Sequence, residues 1–137
     1  MRNATVLIAD DHPSLLSGLV SLLEEKFEVV GAVVNGHLLV EAAARLRPDV
    51  VVTDISMPGL NGLEALAQLK AARSDIKVVV LTMYADGALA AEAIRAGASG
   101  FVVKVSAADE LETAIDEVLQ GRVYLSPDVP RDAVHSL

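Results

Sequence analysis

Five polar residues sit at the ends of short, apolar, β-branched runs, where their chemistry would be exposed at one edge of whatever those runs build. Asp10 and Asp11 follow Thr5 to Ala9, Asp54 follows Val50 to Thr53, Thr82 closes Lys77 to Thr82, and Lys104 follows Gly100 to Val103. Three carboxylates brought together repel one another, and a raised pKa or a bound cation relieves the repulsion. Oxygen-only ligation suits Mg²⁺, which keeps several waters and takes one or two carboxylates plus phosphate oxygens. Acids of this kind therefore point to phosphoryl chemistry, in which a carboxylate can itself accept the phosphoryl group. Lys104 would pair with the added charge, and the Thr82 hydroxyl would donate to a phosphoryl oxygen. His12, His37 and His135 have no ligand-like spacing and read as surface or capping residues.

These residues meet only if the chain folds to bring the run ends together. A further run, Val29 to Val34, completes a set of five. The runs are continuously apolar rather than alternating, as strands covered on both faces are, and a helical pattern follows each. Pro13 opens the first helix, with Leu15, Leu16, Leu19, Val20, Leu22 and Leu23 as its apolar stripe. The second runs from about His37 to Leu46 and ends before Pro48; the third opens after Asn61-Gly62; the fourth runs from about Asp86 to Ala96 and stops at Gly97. Ser106 to Asp109 reads as a variant capping box for the fifth, whose apolar positions Leu111, Ala114, Ile115, Val118 and Leu119 precede Gly121. The expected fold is α/β: a (βα)5 doubly wound parallel sheet in the order 2-1-3-4-5. That order makes the first and third strands neighbours, so Asp10, Asp11 and Asp54 converge at the crevice where the order reverses.

Composition bounds the rest. The chain has 137 residues, 53% of them hydrophobic, and a formal charge of −8 from 11 basic and 19 acidic residues. That is the content of one well-cored domain, and the wrong sign for one that neutralises nucleic-acid phosphates, so no direct nucleic-acid contact is expected. There is no cysteine, which removes disulfides and thiolate chemistry, and no membrane span or signal segment is read near the N-terminus; a reducing cytoplasm is the expected setting.

Taken together, Asp10-Asp11, the stretch Val51-Val52-Thr53-Asp54-Ile55-Ser56-Met57-Pro58-Gly59-Leu60-Asn61-Gly62, Leu81-Thr82 and Ala96-Gly97-Ala98-Ser99-Gly100-Phe101-Val102-Val103-Lys104 resemble the receiver domain of two-component response regulators, over about the first 121 residues. The resemblance implies the same flavodoxin-like strand order. The resemblance implies that Asp54 is the phosphoacceptor, that Asp10, Asp11, Asp54 and the backbone carbonyl of Ser56 hold Mg²⁺, that Thr82 and Lys104 bind phosphoryl oxygens, and that Thr82 and Phe101 form the switch. It further implies a sensor histidine kinase as partner, a phosphorylation-dependent homodimer, and self-catalysed phosphorylation and dephosphorylation rather than an enzyme's turnover of outside substrates. The endings Val80-Leu81-Thr82-Met83, Gly97-Ala98-Ser99-Gly100-Phe101 and Arg122-Val123-Tyr124-Leu125-Ser126-Pro127 are similar to the NarL/FixJ type, whose members carry a C-terminal helix-turn-helix. Residues 1–121 are then the receiver, and 122–137, with two prolines and no periodic apolar face, a tail or the start of an interdomain linker.

One position departs from the pattern: Val105 follows Lys104 where receivers commonly have Pro, or Asp in this subfamily, which excludes a cis peptide there. The alternative function is a Mg²⁺-dependent phosphatase working through an aspartyl phosphate. Phosphatases of the haloacid-dehalogenase type want a second Asp two residues after the nucleophile, and Ser56 occupies that place. A flavodoxin-like cofactor module lacks its phosphate-binding loop here, since Gly31 to Gly36 is followed by His37-Leu38. Singly, Thr82 reads as a β-former, Lys104 as a surface lysine and Phe101 as core. Their joint placement on successive strand ends is what gives them weight.

Overall fold

In a computed structural model, which describes residues 3–132, the chain alternates strand and helix: β1 (Thr5–Ala9), α1 (Pro13–Glu24), β2 (Glu28–Val33), α2 (Gly36–Leu46), β3 (Val50–Asp54), α3 (Gly62–Ala72), β4 (Lys77–Thr82), α4 (Gly87–Arg95), β5 (Gly100–Val103), α5 (Ala107–Leu119) and β6 (Tyr124–Leu125). The sheet has the order β2-β1-β3-β4-β5-β6 and every pairing is parallel. The expected five-strand order is present, and a sixth strand extends it. This is the flavodoxin-like, doubly wound α/β arrangement.

Because side chains alternate across a strand, each central strand feeds two cores. Val6, Ile8, Val50, Val52, Val79 and Leu81 point toward α1 and α5, meeting Leu16, Leu19, Leu23, Leu111 and Ile115. Leu7, Val51, Val78, Val80 and Phe101 point the other way, into the layer of α2, α3 and α4. The expectation of double coverage fails at β2, where Glu28 and Ala32 are exposed, because β2 is the sheet's edge and only β1 flanks it.

The helix starts follow local hydrogen-bond chemistry. Asn61 and Glu64 form a reciprocal capping box at α3, and Asp86 Oδ1 accepts the Ala88 and Leu89 N–H groups at α4. At α5 the expected Ser106 cap is absent. Residues Lys104–Ser106 form a 3₁₀ turn instead, whose Lys104 carbonyl accepts the Ala107 N–H, so the helix is entered from a turn and the Ser106 side chain makes no capping bond. Among the described residues all peptide bonds are trans.

The segment after Gly121 is tied to the sheet. Tyr124 and Leu125 pair with Gly100 and Phe101, Ser126 Oγ accepts the Val103 N–H at 2.9 Å, and that same hydroxyl and the Tyr124 hydroxyl both donate to Glu110 Oε1. Val129 is buried in the core that holds Phe101. Burial, then the hydrogen bond to Glu110 and its charge, push the Tyr124 phenol up to about 12 from its ordinary 10.0. A raised folded-state pKa means that the stability Tyr124 contributes is present below pH 10.0 and is lost as pH rises through about 12. Ultraviolet titration is expected to show a tyrosine ionisation near pH 12 that Tyr124→Phe removes.

Candidate functional site

The C-terminal ends of β1 and β3 are adjacent at the point where the strand order reverses, and the polar residues gather there. Asp54 is the last residue of β3, Asp10 and Asp11 follow β1, Thr82 ends β4, and Lys104 follows β5. Asp10 and Asp54 are buried, and the Lys104 side chain is only 8% exposed. Lys104 Nζ donates to Asp54 Oδ2 at 2.8 Å and lies 3.1 Å from Asp10 Oδ2, so one ammonium serves two carboxylates from different strands. Asp54 Oδ1 accepts the Ser56 N–H at 3.0 Å.

The loop beneath Asp54 is shaped by a close backbone approach. A Cβ on Gly62 would stand 2.4 Å from the Asp54 carbonyl oxygen and 2.6 Å from Ile55 Cα, and the Gly62 N–H donates to the Ile55 carbonyl. Only glycine lets the start of α3 lie against the end of β3 in this way.

Burial raises the Asp54 pKa from the ordinary carboxylate value; the hydrogen bonds from Lys104 and Ser56 pull against burial without cancelling it, and the Asp10 charge adds to the rise. Burial also pulls the Lys104 ammonium down, but the hydrogen bonds and charges of Asp54 and Asp10 more than offset this and hold it above the usual lysine value. Lys104 is therefore a fixed cation at neutral pH, beside an acid whose charged form burial disfavours.

The expected residues are not placed alike. Asp10, Asp11, Asp54 and Lys104 come together. Ser56 reaches the site through its N–H. Thr82 is buried at the neighbouring strand end, where its Oγ1 accepts the Tyr84 N–H at 3.2 Å, and Phe101 is fully buried on the same face of the sheet, two residues before Val103, the strand partner of Thr82. One residue joins that the spacing did not single out. His12 Nδ1 lies 3.2 Å from Asp10 Oδ1 and 3.1 Å from Asp11 Oδ1, and Asp10, Asp11, His12 and Asp54 each offer a ligand atom within 4.8 Å of the others. His135 lies outside the described residues.

The donor set fits a hard divalent cation. Asp10 Oδ2 has only the Lys104 ammonium that it shares with Asp54, and Asp11 Oδ1 is a buried oxygen that accepts no hydrogen bond among the described residues, so the three acids hold more negative charge than one lysine balances. A cavity of about 490 Å³, lined by His12, Ser14, Leu15, Met83, Lys104 and Val105, adjoins the site at His12 and Lys104.

A family model described as the response regulator receiver domain matches residues 6–116. The chain belongs to that family. The receiver is 38% identical over 130 residues to the transcriptional regulatory protein DesR of Bacillus subtilis strain 168, a match covering 93% of this chain and 64% of DesR. It superposes on the crystal structure of a LuxR-family two-component response regulator from Aurantimonas sp. SI85-9A1 with a TM-score of 0.91 at 32% identity, covering 98% of this chain and 97% of that one. The isolated receiver domain of RcsB from Salmonella enterica serovar Typhimurium, in the presence of the phosphomimetic BeF3−, gives a TM-score of 0.85 at 30% identity, covering 95% and 98%. The receiver spans about three-fifths of the length of other curated relatives it matches, such as the response regulator GacA of Pseudomonas aeruginosa. Among the described residues no helix is long and apolar enough to cross a membrane.

The raised Asp54 pKa has a measurable consequence for stability. Its favourable contribution is present below the ordinary carboxylate value and is lost as pH rises through the raised folded-state value, so the ionised group costs stability at neutral pH. Asp54→Asn is expected to raise the melting temperature at pH 7 in the presence of EDTA, with the gain shrinking as the pH is lowered through the Asp54 titration; melts at several pH values check both parts.

Proposed function

We propose that this receiver is a phosphorylation switch in which Asp54 accepts a phosphoryl group from a sensor histidine kinase. The observation that carries this reading is the pairing of a buried carboxylate with a buried ammonium, Asp54 Oδ2 to Lys104 Nζ at 2.8 Å, at the open crevice of the sheet. An Asp54 oxygen attacks phosphorus, the P–N bond of the phosphohistidine breaks, and the imidazole leaves with its electron pair. Lys104, already oriented, then faces phosphoryl oxygens in place of a free carboxylate. Thr82 Oγ1 accepts from Tyr84, so its own proton is available for a phosphoryl oxygen. Attack of water on the acyl phosphate returns the carboxylate and inorganic phosphate.

Asp10, Asp11, Asp54 and the Ser56 carbonyl would hold Mg²⁺. When bound, the ion supplies charge neutralisation to the transferring group. Without it, three acids and one lysine leave the crevice negative, which disfavours an incoming phosphoryl group.

The output of such a switch is a change of binding. Drawing the Thr82 hydroxyl toward Asp54 alters packing at the end of β4, beside Phe101 on β5, and we assign to this pair the relay to a homodimer surface. With a charge of −8 the receiver itself is no DNA ligand. Transcriptional control would act through a further domain, with 1–121 as receiver and 122–137 as the start of the connection, its first part held on the β5 edge. The reading sets the receiver in the cytoplasm. The aspartyl-phosphate phosphatase reading lacks its second acid, because Ser56 stands two residues after Asp54.

Incubation with Mg²⁺ and acetyl phosphate is expected to add the mass of one phosphoryl group, as an acid-stable and base-labile adduct that is absent in Asp54→Asn. An unmodified wild-type chain, or sustained turnover of many phosphomonoesters, would oppose the switch.

A further inference from the structure

We propose that His12 is a nitrogen ligand of the cation site, and that its imidazole tilts the site's selectivity from Mg²⁺ toward Co²⁺, Ni²⁺ and Zn²⁺. The inference rests on the reading of the crevice as a cation site and adds to it a donor of different chemistry. His12 immediately precedes Pro13, the first residue of α1, and a residue before proline is held out of the helical region. Its backbone is extended accordingly, with φ −101° and ψ 105°, and its N–H donates to Asp10 Oδ1 at 2.8 Å. Both constraints fix the main chain of His12 beside the acids.

The side-chain spacing has the dimensions of a coordination sphere. Two donors in adjacent positions of an octahedron around a small divalent cation stand about 3.0 Å apart. His12 Nδ1 is 3.1 Å from Asp11 Oδ1 and 3.2 Å from Asp10 Oδ1, so each of these two pairs is spaced as adjacent donors around such a cation are. Asp10 is wholly buried and shares the Lys104 ammonium, 3.1 Å from its Oδ2, with Asp54, so His12 faces a crevice with more acids than protein cations. The imidazole is 68% exposed, so directing its lone pair at a cation disturbs no packed core.

Ligand chemistry sets the direction of the effect. Carboxylate and carbonyl oxygens suit Mg²⁺, whereas imidazole nitrogen suits the later first-row divalent cations. An oxygen-only site would respond to loss of His12 equally for either kind of cation. A site with His12 in the coordination sphere responds unequally.

The test is calorimetric titration of the 137-residue chain with Mg²⁺ or Co²⁺, for wild type, His12→Ala and His12→Gln, together with NMR of the Co²⁺-loaded protein. Both variants are expected to weaken Co²⁺ binding by about tenfold or more while changing Mg²⁺ binding by less than about twofold. The wild-type Co²⁺ form is expected to show a hyperfine-shifted imidazole proton that both variants lack. Equal losses for the two cations would make His12 a positioning residue for Asp10 and Asp11, and would overturn the proposal, as would an unshifted imidazole. Unchanged Co²⁺ affinity with Asp54 still phosphorylated in Mg²⁺ would overturn this inference alone. Failure of wild type to bind either cation would overturn it together with the cation assignment under Proposed function.

Discussion

The arrangement of this receiver depends on one shared cation, the ammonium of Lys104, which is held between Asp54 and Asp10 in a place where neither acid can be solvated. Burying a carboxylate is costly unless it is paired, and two buried carboxylates with one partner leave a deficit of positive charge. Asp11 adds a third acid at the same strand end. The imbalance is visible in Asp54, whose pKa stays raised despite two hydrogen bonds, and in Asp11 Oδ1, a buried oxygen that accepts none among the described residues. A site built this way concentrates negative charge at a cost in stability, a cost that a bound cation would relieve.

The scaffold holds that charge cluster because its pieces come from three different strands. β1, β3 and β5 deliver Asp10, Asp54 and Lys104, and the apolar layers on both faces of the sheet fix those strands against each other. Close packing in the two layers leaves little freedom for the strand ends to drift apart. The connections do the local shaping: Gly62 lets α3 lie against Asp54, and the 3₁₀ turn after β5 carries Lys104 into the crevice before α5 begins. The edge of β5 is closed by β6 and by Ser126, whose hydroxyl links the Val103 N–H to Glu110, so the strand that precedes Lys104 is bonded on both sides.

Much of this was legible in the sequence, for a physical reason. Residues that end continuously apolar strands are forced to one edge of a parallel sheet, and Asp10, Asp54, Thr82 and Lys104 all have that position. The helices were legible through Pro13, Asn61, Gly97 and the apolar stripe of α5. What escaped lacks periodicity or depends on tertiary contact. Two residues of β6 carry no pattern of their own and become a strand by pairing with Gly100 and Phe101. Ser106 has the right residue type for a cap, but the turn at Lys104 took its place. His12 has no spacing that marks a ligand; its place in the cluster comes from the short link between Asp11 and Pro13, and the Asp-Asp-His-Pro order was the signal available. Phe101 was read beside Thr82 from the resemblance, and strand alternation puts the two on the same face of the sheet, with Phe101 opposite Val80 and Thr82 opposite Val103, so a relay between them runs along that face.

In the proposed switch the Lys104 ammonium, a buried counterion for Asp54, becomes the counterion of a phosphoryl group. The direct measurement is the ¹⁵N resonance of Lys104 Nζ, recorded for the wild type and for Asp54→Asn, before and after addition of Mg²⁺ and beryllofluoride. A protonated, hydrogen-bonded ammonium at neutral pH is expected, one that shifts when beryllofluoride is added to the wild type and does not respond in Asp54→Asn. A Lys104 resonance with the frequency of a freely solvated lysine, or one that is indifferent to beryllofluoride in the wild type, would contradict it.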